Sequence, residues 1–264
     1  MTPSKYRLYE ESVQSPNWQV DYLPQFHEWL TGRKPLSFRE DFCGSARISC
    51  EWVRRSPKHR ALGLDLDREV LDYANAVKRA SLTVSEQKRI ALRRADVRTR
   101  TRETFDWIGA FNYSIFEFHE RKELLRYFRA ARASLHAQGT IFMEVAGGAG
   151  FLAASMDERQ IKMPGVGKII QLWEQHDHDP ITGLNDYAIH FKLPRGAMIH
   201  NAFTYHWRVW SIREIRDALA EAGFSKSIVL WETEDRKGRP TGELLPAETA
   251  PWTDFYIAYV VGVR

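Results

Sequence analysis

The sequence has little of what usually betrays a protein's chemistry at first sight. It carries only two cysteines, Cys43 and Cys50, in 264 residues, with no further cysteine or histidine beside them at metal-binding spacing. So few thiols exclude a disulfide framework and suit a reducing compartment. No run approaches the ~18 consecutive apolar residues of a membrane-spanning helix, which excludes such a span. The first residues, MTPSKYRLYEESVQ, lack the apolar stretch of a secretion signal, so the expected location is the cytoplasm. There is no internal repeat and no low-complexity tract. Excess charge is also scarce: 38 Lys and Arg face 34 Asp and Glu, for a net +4. The densest basic run, Lys88 to Arg102, also contains Asp96, so a solvated surface explains it more simply than a nucleic-acid face.

What is present describes a folded enzyme-sized chain. An apolar fraction of 44% with 27% charged residues fits a folded domain and opposes disorder. Tyr6, Leu8, Tyr9 and Val13 recur at helical spacing until Pro16, so residues 1–35 are expected to form a helical lead-in that can act as a lid. From 36 to 146, short apolar runs (LSF, ALGLDL, IAL, FDWIGAFN, GTIFMEVAG) alternate with amphipathic stretches. That alternation predicts a parallel sheet with crossover helices. Between 168 and 210 lie three β-rich runs separated by turn signals, which predict an antiparallel insertion over residues 160–210. Ser211 and Glu214 then form a capping box for a helix closed by Gly223. Two strands end the chain, joined by a polar loop with Gly238, Pro240 and Gly242. The expected fold is α/β: a Rossmann-like, mostly parallel sheet of seven strands with helices on both faces. Residues 36–264 make the main domain, and the antiparallel insertion follows strand five.

In such sheets ligands sit beyond the carboxyl ends of the strands. The first strand ends at Glu40-Asp41 and enters a helix through Phe42-Cys43-Gly44-Ser45-Ala46. Gly44 lets the backbone approach a ligand, and the helix start favours a carboxylate. Asp65 ends the second strand 21 residues after Gly44, near the spacing at which an acid meets ribose hydroxyls. Asp96 closes the third strand, within reach of an adenine amino group. Any one of these acids could equally be a helix cap or turn residue; three at successive strand ends point to a nucleoside. A nicotinamide or flavin dinucleotide needs G-x-G-x-x-G for its pyrophosphate, and only Gly44 is present. A phosphate-free nucleoside such as S-adenosylmethionine needs less room.

Residues 36–146 and 205–263 here resemble the class I S-adenosylmethionine-dependent methyltransferases. Their first motif reads acid-x-Gly-x-Gly-x-Gly; this chain has Glu40-Asp41-Phe42-Cys43-Gly44-Ser45-Ala46, with Phe42 and Ala46 in place of two glycines. The sequence is also similar to a subgroup with an EDFCG-[ST]-A loop. The resemblance implies S-adenosylmethionine as cofactor, with Glu40, Phe42, Cys43, Gly44 and Ser45 from the first loop. It also implies Asp65 and Leu66 at the ribose, Asp96 and Val97 at the adenine, and Asn112 at the fourth strand end.

Methyl transfer from a sulfonium is an in-line displacement, so positioning and desolvation supply much of the rate. A general base is needed only for an acceptor proton of high pKa. Asn112-Tyr113-Ser114 resembles the N-P-P-Y tetrad of amino-group methyltransferases but lacks both prolines, so that activity does not carry over. Acceptor contacts are expected from Tyr9 and Gln14 of the lead-in, from Tyr113, and from Trp173, Glu174, Tyr205, Trp207 and Arg208 of the insertion. Aromatic side chains there can enclose a cation or an apolar ring, and Glu174 could hold an amine; packing of the insertion onto the sheet explains the same rings. Candidate catalytic groups are Asn112, Glu174 and His176. His176 and His178 share a strand face, but without further ligands no metal is expected. The expected function is methyl transfer to a small molecule. An RNA- or protein-directed enzyme and a non-catalytic nucleoside-binding module are the alternatives.

Overall fold

A computed structural model of the chain describes residues 3–235 and 239–264. Gly238, expected in the last loop, lies outside the described residues. The lead-in is two helices, α1 (Lys5–Ser12) and α2 (Pro16–Thr31). Pro16 does not simply break the pattern. It opens α2, because proline's fixed φ and missing N–H suit a first helical turn.

The α/β core then runs β1 (Ser37–Asp41), α3 (Arg47–Arg55), β2 (Arg60–Asp65), α4 (Arg68–Tyr73), α5 (Val84–Gln87), β3 (Ile90–Arg94), β4 (Phe105–Ala110), α6 (Arg121–Ala133) and β5 (Leu135–Gly147). Strands β3, β2, β1, β4 and β5 lie side by side, all parallel. After α7 (Ala149–Leu152) comes a separate antiparallel sheet of β6 (Ser155–Met163), β7 (Gly167–Gln175), β8 (Leu184–Lys192) and β9 (Met198–Arg208). The chain returns to the main sheet through α8 (Ile212–Glu221), β10 (Lys226–Glu234), β11 (Pro240–Pro246) and β12 (Tyr256–Val263).

The main sheet has eight strands, in the order β11-β10-β12-β5-β4-β1-β2-β3. The expected count of seven is corrected by β11, which pairs antiparallel with β10 at the sheet edge. Its sequence, PTGELLP, buries only Leu244 and carries prolines at both ends. Such a pattern reads as loop, and an edge strand tolerates it because its outer N–H groups need no partner. The insertion likewise has four strands where three apolar runs were visible. SMDERQIKM, now β6, is exposed along most of its length, so no apolar period marks it.

Reversal of strand order falls between β1 and β4, on either side of which β2 and β5 extend the sheet. The carboxyl ends of β1, β2 and β4 therefore open onto one crevice. Sheet β6–β9 stands over that end: Trp207 and Tyr187 join the core cluster of the main sheet, while Leu8 of α1 packs with Ile169, Ile189 and Phe191. Among the described residues no helix is long and apolar enough to cross a membrane.

Candidate functional site

The turn after β1 is built from left-handed steps. Phe42 has φ 54°, Gly44 φ 51° and Ala46 φ 56°. These are the three positions at which the resembling motif carries glycine. The chain thus keeps the glycine path while placing a Cβ at two of the steps, each costing about 1–2 kcal/mol. Packing and hydrogen bonds hold them there. The Phe42 ring lies 5.7 Å from Phe118 and 6.0 Å from Tyr127. Ala46 is fully buried and its N–H donates to the Cys43 carbonyl at 2.7 Å. Gly44 N–H donates to the Asp65 carboxylate at 2.7 Å, tying the loop to the end of β2. Gly63 is required by the same closeness, since a Cβ there would stand 2.9 Å from Cys43 Sγ.

The two acids that end β1 face opposite sides of the sheet, as strand period two dictates. Asp41 turns toward α6, where it pairs with Arg39 and accepts the Tyr127 hydroxyl at 2.9 Å. Glu40 turns toward α3, where its carboxylate accepts Ser49 N–H at 2.8 Å and Ser49 Oγ at 2.5 Å. It caps the first turn of that helix and lines neither cavity described below. Burial pushes the Glu40 carboxyl up to about 8. An acid raised on folding keeps its proton where the unfolded chain has lost it, so stability falls as pH rises from the ordinary carboxylate range to about 8. Glu40→Gln stays neutral throughout. Denaturant melts at a series of pH values should show the variant losing part of that decline; an unchanged pH slope would contradict the assignment.

Two cavities lie beyond the strand ends. The first, about 600 Å³, is floored by the loop residues Phe42, Cys43, Gly44 and Ser45. Asp65, Leu66, Asp96 and Val97 also line it, with Tyr9, Gln14 and Asn112. Asp65 accepts N–H groups of Gly44 and Asp67 while burial raises its carboxyl above the usual range. The Arg98 guanidinium, at 2.9 Å, holds the Asp96 carboxyl below that range. The buried oxygens Ser45 Oγ and Gln14 Oε1 have no hydrogen-bond partner among the described residues. Both residues line this cavity, so its wall offers a hydroxyl and an amide oxygen to a polar ligand.

The second cavity, about 810 Å³, adjoins the first: Tyr9, Asn112, Tyr205 and Trp207 line both. Tyr113, Phe151, Trp173 and Phe255 add to its aromatic wall. Asn112 and Tyr113 both take positive φ, 52° and 60°, where the chain turns sharply off β4.

Three residues expected at the site stand elsewhere. Glu174 is bound to His190 at 2.9 Å, and His176 lies past the end of β7. Arg208 donates to the His119 carbonyl and stacks over Trp210 at 3.8 Å. None of them lines either cavity. His178 is bound to Asn185, and among the described residues no cluster could hold a metal ion. Conversely, sequence reasoning passed over Glu144 and Glu117. Glu117 accepts the Trp207 indole N–H at 2.7 Å on the wall of the first cavity. Glu144 lines the second, and its signal was visible: a lone acid inside the apolar run GTIFMEVAG.

The fold recurs in solved structures. One is an S-adenosylmethionine-dependent methyltransferase from Clostridium acetobutylicum, 15% identical over 97% of this chain and 96% of that one, with a TM-score of 0.68. The chain has the fold of these methyltransferases. It is also similar to an amino pentose methyltransferase from Micromonospora echinaspora, solved with S-adenosylmethionine bound, at 14% identity and TM-score 0.71. That match covers 100% of this chain and 98% of the other. A sugar N-methyltransferase from Streptoalloteichus is 17% identical over 100% and 94%, with TM-score 0.68. No protein-family model and no curated protein matches the sequence.

Proposed function

We propose that the protein is an S-adenosylmethionine-dependent methyltransferase that acts on a small-molecule acceptor by in-line transfer. The observation that carries this reading is the pair of adjoining cavities, one floored by the Phe42–Ser45 loop and the other walled by aromatic rings, sharing Tyr9, Asn112, Tyr205 and Trp207. In-line displacement needs donor and acceptor to meet end to end across such a boundary.

The fit of the first cavity to the cofactor is chemical. Gly44 leaves open space above the loop, Asp65 presents a carboxylate to a diol, and Ser45 and Gln14 offer unpaired oxygens. When bound, S-adenosylmethionine supplies an electrophilic methyl group. The chain's own part is to orient and to exclude water. Tyr205 of β9 and Tyr9 of α1 both line the two cavities, so strand and helix meet at their boundary. In this reading residues 1–35 are the lid and residues 160–210 the acceptor wall, with three structurally similar enzymes, named as methyltransferases of an amino pentose, a sugar and a glycopeptide, supporting a small acceptor.

Incubation with methyl-labelled cofactor and cell extract, followed by size separation, tests the reading. Label is expected in the small-molecule fraction. Label in RNA or protein would favour the macromolecular alternative, and cofactor binding without any transfer would favour a non-catalytic module.

A further inference from the structure

We propose that the second cavity binds its ligand as a cationic amine, with the Glu144 carboxylate as counter-charge and Trp173, Tyr205 and Trp207 against the body of the molecule. Calling this ligand the methyl acceptor rests on the methyltransferase reading; the amine site itself does not.

Glu144 sits in central strand β5 between fully buried Met143 and Val145, and is itself only half-buried because its side chain reaches the cavity. Its carboxylate accepts Asn112 N–H at 2.9 Å, and Tyr259 is its cross-strand neighbour on β12. Neither of these is a cation, and among the described residues no Lys, Arg or His forms an ion pair with Glu144. A carboxylate partly withdrawn from water without a counter-ion carries a cost. Burial accordingly raises the Glu144 carboxyl above the usual range. A bound ammonium group would reverse that cost.

The rest of the wall favours the same charge. Asp157, Glu158 and Asp254 join Glu144 against one base, Arg159, which donates to the Ser12 carbonyl. Such a field selects cations. Rings form the remaining side, with Tyr205 and Trp207 centroids 4.2 Å apart and Trp173 within 6.1 Å of Tyr205 and 6.3 Å of Trp207. Faces of that kind accept an apolar ring or a cation. The position of the charge also fixes orientation. Asn112, which holds Glu144, lines both cavities, so an amine anchored there presents its nitrogen at the boundary with the first.

Calorimetry and ligand-observed NMR on the full chain would use matched pairs: benzylamine against benzyl alcohol, and glucosamine against glucose. At least one amine should bind about tenfold or more tightly than its alcohol. Glu144→Gln should erase that preference, Glu144→Asp should retain part of it, and Glu174→Gln should leave it intact. Equal binding of amine and alcohol, absence of amine binding, or a preference that survives Glu144→Gln in a variant that melts like the parent would overturn the proposal. S-adenosylhomocysteine titrated into the same samples separates the two readings: its failure to bind would remove the methyltransferase assignment while an amine preference still stood.

Discussion

Replacing Asp65 by asparagine is expected to weaken S-adenosylhomocysteine binding by about 30-fold, or about 2 kcal/mol, the size of a charge-assisted hydrogen-bond loss. The carboxylate lies on the cavity wall with burial raising it above the usual range, so it enters any complex only partly solvated. A ribose diol would donate to it, and an amide offers one uncharged acceptor oxygen in place of two charged ones. Asparagine preserves the shape and one acceptor for Gly44 N–H, which limits collapse of the loop. Asp96→Asn should cost less, because Arg98 already occupies both Asp96 oxygens. Titration calorimetry with a melting curve on each variant checks both. An unchanged Kd for a folded Asp65→Asn would remove the cofactor assignment from this loop.

Asp41→Ala should destabilise the protein by about 3–5 kcal/mol, the usual consequence of leaving one member of a buried ion pair uncompensated. Arg39 and Asp41 have no exposed side-chain surface, and they meet through two bonds of 2.7 and 2.8 Å. Removing the carboxylate strands a guanidinium in the core and also frees the Tyr127 hydroxyl. The double replacement Arg39→Met with Asp41→Leu should recover most of the loss, since no charge is then buried without a partner. Denaturant midpoints measure both. A loss below about 1 kcal/mol for the single variant would mean that water reaches the pair.

How much of this was legible before folding can be judged from particular residues. The alternation of apolar runs with amphipathic stretches marks β1 to β5 and their helices, because burial on both faces demands it. Strands β6 and β11 are exposed along most of their length, so no apolar period marks them. Loop residues Phe42 to Ser45 and the acids Asp65 and Asp96 were readable from their places at strand ends, and all of them line the first cavity.

Side-chain direction was a different matter. Glu40 matches the motif acid in sequence, yet the pleat turns it to α3. Phe42 and Ala46 depart from glycine in sequence, yet take glycine's conformation because Phe118, Tyr127 and the Cys43 carbonyl hold them. Glu174 and Glu144 are both single acids in apolar strands. Only the tertiary structure assigns one to His190 and the other to a cavity, since that depends on which face of each strand meets the other sheet. The sequence by itself determined the α/β class, the strand-end acids and the aromatic insertion, all properties of local pattern and burial. The tertiary structure alone decided that Tyr9, Asn112, Tyr205 and Trp207 share one boundary, because they come from three distant segments that only long-range packing brings together.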